Sequence, residues 1–106
     1  MDKKSVIDIV GRFMRLLEAQ GITLNKVILY GSCASGSNRE ESDIDLVVVS
    51  EDFVEKDYWE RLDVLSEAIY QLFEPIEAVA MTPEEWERGD SFIVDYAKNG
   101  EILYAA

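Results

Sequence analysis

Histidine is absent from this sequence of 106 residues, and cysteine occurs once, at position 33. A single cysteine cannot form an internal disulfide, so we expect a fold that depends on its apolar core, in a reducing, cytoplasmic setting. Without histidine, the chain lacks the side chain that most often activates a cysteine nucleophile. Cys33 is therefore expected to be a small filler and not a catalytic thiol.

Basic residues are also scarce, since ten lysines and arginines face 22 acidic residues and the net charge is −12. Proteins bind nucleic acids largely by neutralising phosphates with lysine and arginine. So acidic a surface repels DNA, RNA and anionic membranes, and we expect no direct nucleic-acid or membrane binding. No apolar run approaches the roughly 20 residues that span a bilayer, and the N-terminal residues are typical of a helix start and not of a signal peptide.

Short apolar segments punctuated by glycine and proline predict one domain, over residues 1–106, in which helices alternate with strands. This order is typical of an α/β (α+β) fold, a small sheet with helices packed on it. Helices are predicted over residues 5–20, 58–73 and 90–98 and from residue 83 onwards, and strands over residues 27–30, 44–49, 76–81 and 101–104. Thr82 to Glu85 form a predicted capping box with proline at the first helical position.

Apolar residues at helical spacing mark the side of each long helix that should face the sheet. In the first helix these residues are Val6, Ile9, Val10, Phe13, Leu16 and Leu17. In the second helix they are Trp59, Leu62, Leu65, Ile69, Leu72 and Phe73.

The polar loop over residues 31–42 is long for a link between two buried strands, and long ordered loops tend to be functional. Gly31 would let the backbone approach a ligand closely, and Gly36 permits a second tight turn. If a helical turn starts here, its N–H groups would attract an anion, and Ser32 would add a hydroxyl donor. The loop is therefore a predicted phosphate cradle, although Ser32 could equally serve as a helix cap.

Asp43 and Asp45 stand at the start of the second strand, where side chains two positions apart point to the same face. Two such carboxylates repel each other, and burial disfavours their charged forms. A cation between them would remove both penalties, and Mg²⁺ prefers hard oxygen ligands of this kind. The alternative is a pair of acids that only bind backbone groups at the strand start.

The phosphate cradle and the two aspartates can share one site only if the first two strands run antiparallel. Glu77, near the start of the third strand, could join them if that strand runs parallel to the second, with the intervening helix as a right-handed crossover. The predicted sheet is therefore mixed, and its second strand should lie centrally because it is apolar on both faces. Glu77 could otherwise be a surface acid beside Pro75.

Gly31-Ser32, ten residues and then Asp43-Ile44-Asp45 resemble the signature of the nucleotidyltransferase superfamily, which includes DNA polymerase beta and the aminoglycoside nucleotidyltransferases. The string LYGSCASG…SDIDLVVVS resembles in particular the minimal nucleotidyltransferases, which are commonly paired with HEPN proteins in prokaryotic toxin–antitoxin operons. The segment FIVDYAKNGEILY is similar to the closing helix and strand of the family, so the resemblance covers nearly the whole chain.

The resemblance implies that Asp43, Asp45 and Glu77 form the catalytic and metal-binding set for two Mg²⁺ ions, although aspartate is commoner at the third position. It implies in-line attack of a hydroxyl on the α-phosphate of ATP or another nucleoside triphosphate, with pyrophosphate leaving. Gly31, Ser32 and Gly36 would bind the nucleotide. Many minimal members carry arginine at the positions of Cys33 and Ser35, and Arg39 could compensate.

Three functions are compatible with these features. The chain could transfer AMP to a hydroxyl on a protein or small molecule, with a tyrosine of a HEPN partner as the acceptor in the toxin–antitoxin setting. It could instead be a weak or inactive module that neutralises its partner by contact, or a subunit of an antibiotic nucleotidyltransferase. A small domain with an open site is expected to need a partner or a second copy, as in a homodimer.

Overall fold

The computed structural model describes residues 2–35 and 43–106, so the predicted loop residues Gly36 and Arg39 lie outside the described part. Helices and strands alternate along the chain, as the sequence predicts. The helices are α1 (Lys3–Ala19), α2 (Ser32–Ser35), α3 (Tyr58–Leu72), α4 (Pro83–Arg88) and α5 (Phe92–Ala97), with a 3₁₀ turn over Glu51–Phe53. The strands are β1 (Lys26–Tyr30), β2 (Ile44–Val49), β3 (Ile76–Met81) and β4 (Glu101–Ala105).

The four strands form one mixed sheet in the order β3-β2-β1-β4. β1 runs antiparallel to both β2 and β4, and β2 runs parallel to β3. The predicted strand directions and the central place of β2 are thus confirmed. Because β2 is covered on both faces, its residues Val47 and Val48, which point to opposite faces, are both fully buried.

Each face of the sheet is covered by a different pair of helices. The predicted apolar side of α1 is confirmed, although Leu16 is only partly buried. This side packs with α3 in the larger of two clusters of buried residues. The smaller cluster lies on the opposite face, where α5 contributes Val94 and Ala97. None of the helices within the described ranges has both the length and the apolar character that crossing a bilayer requires.

The predicted buried side of α3 is wrong at three positions. Trp59, Leu62 and Phe73 are 68%, 37% and 87% exposed, whereas the helix buries Leu65 and Ala68. Trp59 precedes Leu65 by six residues, which places it about 120° around an α-helix from the buried line. Phe73 is the C-cap residue with a left-handed φ of 58°, outside the helical repeat altogether.

Capping boxes fix the starts of α3 and α4. The box predicted at Thr82 is confirmed, since Thr82 accepts from the backbone N–H of Glu85 and Glu85 accepts from that of Thr82. Arg61 of α3 also donates to Glu85, at 2.8 Å, and to the backbone carbonyl of Phe53. One arginine therefore ties the segment after β2 to α4, which follows β3.

Gly100 permits the close packing of β4 on β1. A Cβ at this position would collide with the backbone carbonyl oxygen of Leu29 and would lie 3.1 Å from the Cβ of Tyr30. The first contact is with backbone, which cannot move aside as a flexible side chain can. This glycine therefore sets how closely the end of the chain approaches the strand that leads into the predicted phosphate cradle.

We expect Gly100→Ala to lower the free energy of unfolding by about 2 kcal/mol, because overpacking forces the backbone to shift. Gly11→Ala is the matched control, since a Cβ there meets only the Arg15 guanidinium at an ordinary 3.8 Å inside α1. The free energy of unfolding of that variant should rise by roughly 0.5–1 kcal/mol, because alanine restricts the unfolded chain more than glycine does. Urea unfolding measures both values, and a Gly100→Ala protein as stable as the parent would contradict the packing described here.

Candidate active site

The C-terminal end of β1 and the N-terminal ends of β2 and β3 lie side by side at one end of the sheet, which we call the sheet edge. Each of these strand ends contributes a polar side chain. In the strand register Tyr30 of β1 lies opposite Asp45 of β2, and Asp45 lies beside Glu77 of β3. Laterally paired residues share a face of a sheet, and here it is the face covered by α4 and α5. The acids Asp45 and Glu77, predicted to share a site, are therefore adjacent. Asp43 lies just before β2, two positions from Asp45, and the alternation of side chains along a strand puts it on the same face.

The negative charges of the carboxylates at this edge repel one another. Burial raises the pKa of Asp45, and the negative charges of Glu77 and Asp43 raise it further. Burial also raises the pKa of the Tyr30 hydroxyl, with a further contribution from Asp45. Keeping these carboxylates charged at the sheet edge therefore costs free energy, and a bound cation would lower that cost.

Gly31 is required here for two separate reasons. Its φ of 74° lies in the left-handed region, and a Cβ added to it would lie 2.5 Å from the Asp45 carboxylate oxygen Oδ2. The backbone therefore passes directly against the central carboxylate. The helical turn on which the predicted anion site depends is present, because α2 begins at the next residue, Ser32.

Cys33 fills space beneath this turn, as expected. Its side chain is 3% exposed, and its thiol donates to the backbone carbonyl of Asp43 at 3.5 Å. Burial raises the pKa of the thiol, the charge of Asp45 raises it further, and the positive charge of Lys3 opposes the rise. The side chain at this position therefore holds α2 to the start of β2 and points away from solvent.

The donor set at the sheet edge fits Mg²⁺ that arrives with a substrate. Within residues 2–35 and 43–106, no three histidine, cysteine, aspartate or glutamate side chains are grouped as a ready metal centre. Mg²⁺ is usually held by one or two carboxylates together with substrate phosphates. Asp43, Asp45 and Glu77 supply hard oxygen donors of that kind, and Asp45 already carries the electrostatic cost that a cation would relieve.

A cavity of about 520 Å³ opens beside Gly31 on the β4 side of the edge. Its size is within the range of small-molecule sites. Its wall includes Tyr30, Ser32, Tyr96 and Glu101. The rings of Tyr30 and Tyr96 meet edge to face with centroids 6.0 Å apart.

Tyr30, Tyr96 and Glu101 are not among the site residues predicted from the sequence. The one available signal was the pair of aromatic residues spaced four apart in α5, Phe92 and Tyr96, which are both exposed. Spacing of this kind also occurs on many surface helices, so the pattern alone could not single out a cavity.

Residues 13–102 match the family model described as the nucleotidyltransferase domain. The chain belongs to the nucleotidyltransferase domain family. This match covers most of the chain, and it includes both the loop after β1 and all three acids of the sheet edge. A search of curated protein sequences finds no match.

Solved structures show the same fold at low sequence identity. A provisionally assigned nucleotidyltransferase from Sulfolobus solfataricus matches with a TM-score of 0.74 and 17% identity over 97% of this chain and 83% of that chain. A chain of a toxin–antitoxin complex with AMP-PNP has a TM-score of 0.64 and 21% identity, over 91% of this chain and 73% of that one.

A third similar structure is that of a tri-AMPylated HEPN toxin from Shewanella oneidensis in complex with its MNT antitoxin. The TM-score is 0.58 and the identity 18%, over 98% of this chain and 73% of that chain. The resemblance stated from the sequence motifs is thus confirmed for the family and the fold of this nucleotidyltransferase domain.

We expect Asp45→Asn to stabilise the nucleotidyltransferase domain at pH 7 in the absence of divalent cations. The gain should be on the order of 0.5 kcal/mol, because a partly buried charge beside like charges is removed but solvent still screens it. Since the folded-state pKa of Asp45 is raised, the folded parent binds more protons than the unfolded chain just above the ordinary aspartate pKa of about 3.9. The parent therefore loses stability as pH rises through that window.

Thermal unfolding at a series of pH values from 7 downwards checks this expectation. The advantage of Asp45→Asn should shrink as the pH approaches the ordinary aspartate pKa. Asp63→Asn, an exposed position on α3, is the control for the loss of one charge elsewhere. An Asp45→Asn variant that is less stable than the parent at pH 7 would mean that the carboxylate is a net stabilising group.

Gly31→Ala should impair the site beyond its cost in stability. A non-glycine residue in the left-handed region costs roughly 1–2 kcal/mol, and here the added methyl group also displaces the Asp45 carboxylate. Gly21→Ala is a matched control, because Gly21 has a φ of 90° and a methyl group added there would meet nothing within 4 Å. Both variants should lose stability. If the site binds ATP with Mg²⁺, as we propose below, only Gly31→Ala should lose that binding in calorimetry, and binding by Gly31→Ala equal to that by Gly21→Ala would contradict the contact with Asp45.

Proposed function

We propose that this domain transfers a nucleoside monophosphate, AMP from ATP, to a hydroxyl group on a partner protein. The observation that supports this most directly is the row of acids at one sheet edge, with Asp45 packed against the backbone of Gly31. Membership of the nucleotidyltransferase family supports the reaction class. In the proposed reaction the hydroxyl oxygen bonds to the α-phosphorus, the bond between the α- and β-phosphates breaks, and pyrophosphate leaves.

Asp43 and Asp45 are the residues that would hold Mg²⁺. Bound Mg²⁺ would neutralise charge that develops at the α-phosphate and make the acceptor hydroxyl more acidic. Glu77 lies beside Asp45 on the side away from β1. We assign to Glu77 the acceptor side of the site, where its carboxylate would take the proton that the attacking hydroxyl loses.

The acceptor that we propose is a tyrosine of a HEPN-type toxin, so that the domain acts as the antitoxin of the pair. The similar structures support this choice, since one is a complex of an AMPylated HEPN toxin with an MNT antitoxin and another contains AMP-PNP. A partner would also complete the open acceptor side beside Glu77, which is exposed.

The test uses the purified chain, Mg²⁺, ATP labelled at the α-phosphate and a HEPN-family protein from the same genome. We expect label on the HEPN protein, a mass increase of whole AMP units, and a tyrosine as the modified residue. Asp45→Asn should lower the initial rate by at least about a hundredfold, because it removes a carboxylate that would hold the Mg²⁺ ion and so weakens the stabilisation of the transition-state charge. Asp63→Asn should transfer at the parental rate, and absence of transfer by the parent chain would refute the proposal.

A second function, neutralisation by contact alone, is favoured by one observation. Cys33 is buried at a position where many minimal family members carry a phosphate-binding arginine, so this position supplies no charge to a triphosphate. The two functions differ in cells that express the HEPN protein. If neutralisation depends on AMP transfer, Asp45→Asn should fail to relieve growth arrest although it still binds the partner. If contact suffices, that variant should relieve growth arrest as well as the parent does.

A further inference from the structure

A triphosphate that enters this site meets mostly negative charge. Asp43, Asp45 and Glu77 line the sheet edge, and Glu101 lies on the wall of the adjoining cavity. Cys33, where a loop arginine would stand, is buried and bound to the carbonyl of Asp43. Arg39 of the same loop lies outside the described residues, so among the residues that the structure describes a positive side chain for the phosphates would come from another element of the fold.

Lys3 forms an ion pair with a residue that lines that cavity. Its Nζ lies 2.6 Å from Oε1 of Glu101, and the two side chains are 40% and 45% exposed. Glu101 lines the cavity together with Gly31 and Ser32. The pair joins the first residue of α1 to the first residue of β4, 98 positions away in the sequence. The ion pair is thus set by the fold and not by local sequence.

Three other cations are directed elsewhere. Arg12 pairs with Asp8 and Glu74 at 3.9 and 3.2 Å, and Arg61 pairs with Glu85. Lys98 follows α5 but lines a different cavity, with Trp86 and Val94 among its neighbours. Among the ion pairs of the described residues, the one with Lys3 is the one that involves a residue of the cavity beside Gly31.

We propose that Lys3 is a phosphate-binding residue of this nucleotidyltransferase. When the nucleotide binds, the Lys3 ammonium group leaves the Glu101 carboxylate and binds the outer phosphates. An exposed ion pair is weak, so the exchange has a low cost. Lysine binds phosphates as a point charge on a long flexible stem, and charge-assisted hydrogen bonds to phosphate are strong. The inference rests on the proposed nucleotidyl transfer, and it assigns to α1 the charge that the loop lacks at Cys33.

Calorimetric titration with Mg²⁺-ATP tests this assignment with matched variants. Lys3→Ala should weaken ATP binding about five- to tenfold, which corresponds to one charge-assisted hydrogen bond partly screened by solvent. Lys4→Ala removes the same charge one residue along the same helix and should change the affinity less than about twofold. Glu101→Gln should bind ATP more tightly than the parent, because it removes both the competing carboxylate and a negative charge.

A purely structural role of the ion pair gives a different pattern. In that case Lys3→Ala and Glu101→Gln would both weaken binding, and AMP and ATP would be affected alike. A phosphate-binding role predicts instead that Lys3→Ala weakens ATP more than AMP, since AMP lacks the outer phosphates. Equal affinities of Lys3→Ala and Lys4→Ala for ATP would overturn this inference and leave the proposed function intact, whereas a parent protein that binds no ATP would overturn both.

Discussion

The repulsion among carboxylates at one end of the central strand is the constraint on which the site depends. Asp45 belongs to β2, which is paired on both sides, so its neighbours Tyr30 and Glu77 are fixed by the strand register. The charge cannot move away into solvent as it could on a loop. Beyond Asp45 the strand is fully buried, as at Val47 and Val48, and this burial supplies the stability that offsets the local cost. The same cost is what favours a cation at the edge.

Much of the fold could be predicted because its signals are local. A continuous apolar run marks the central strand, and a capping box marks the start of α4. The strand directions followed from the need for the phosphate cradle and the two aspartates to share one site. The buried side of α3 could not be predicted as well. Apolar periodicity identified Leu65 but also included Trp59 and Phe73, because the sequence does not show how much of a helix the sheet beneath it covers.

The grouping of the acids at one sheet edge was predictable, whereas the cavity beside it was not. Asp43 and Asp45 lie at a fixed short spacing from Gly31, so the motif is readable along the chain. The sequence indicated that Gly31 permits a close approach to a ligand, whereas the structure shows that its close contact is with the Asp45 carboxylate itself. The contact of Lys3 with Glu101 joins opposite ends of the sequence, and no local pattern encodes such a pair.

The buried state of Cys33 changes how the missing loop arginine is understood. An arginine placed there by simple substitution would have to displace a packed side chain and the thiol contact with the Asp43 carbonyl, which helps to fix where β2 begins. The difference from the arginine-containing family members is therefore one of packing as well as charge. An arginine at this position would therefore disturb the nearby aspartates. The positive charge that we propose for α1 would avoid this conflict, because it would approach the phosphates without passing through the core beneath the loop.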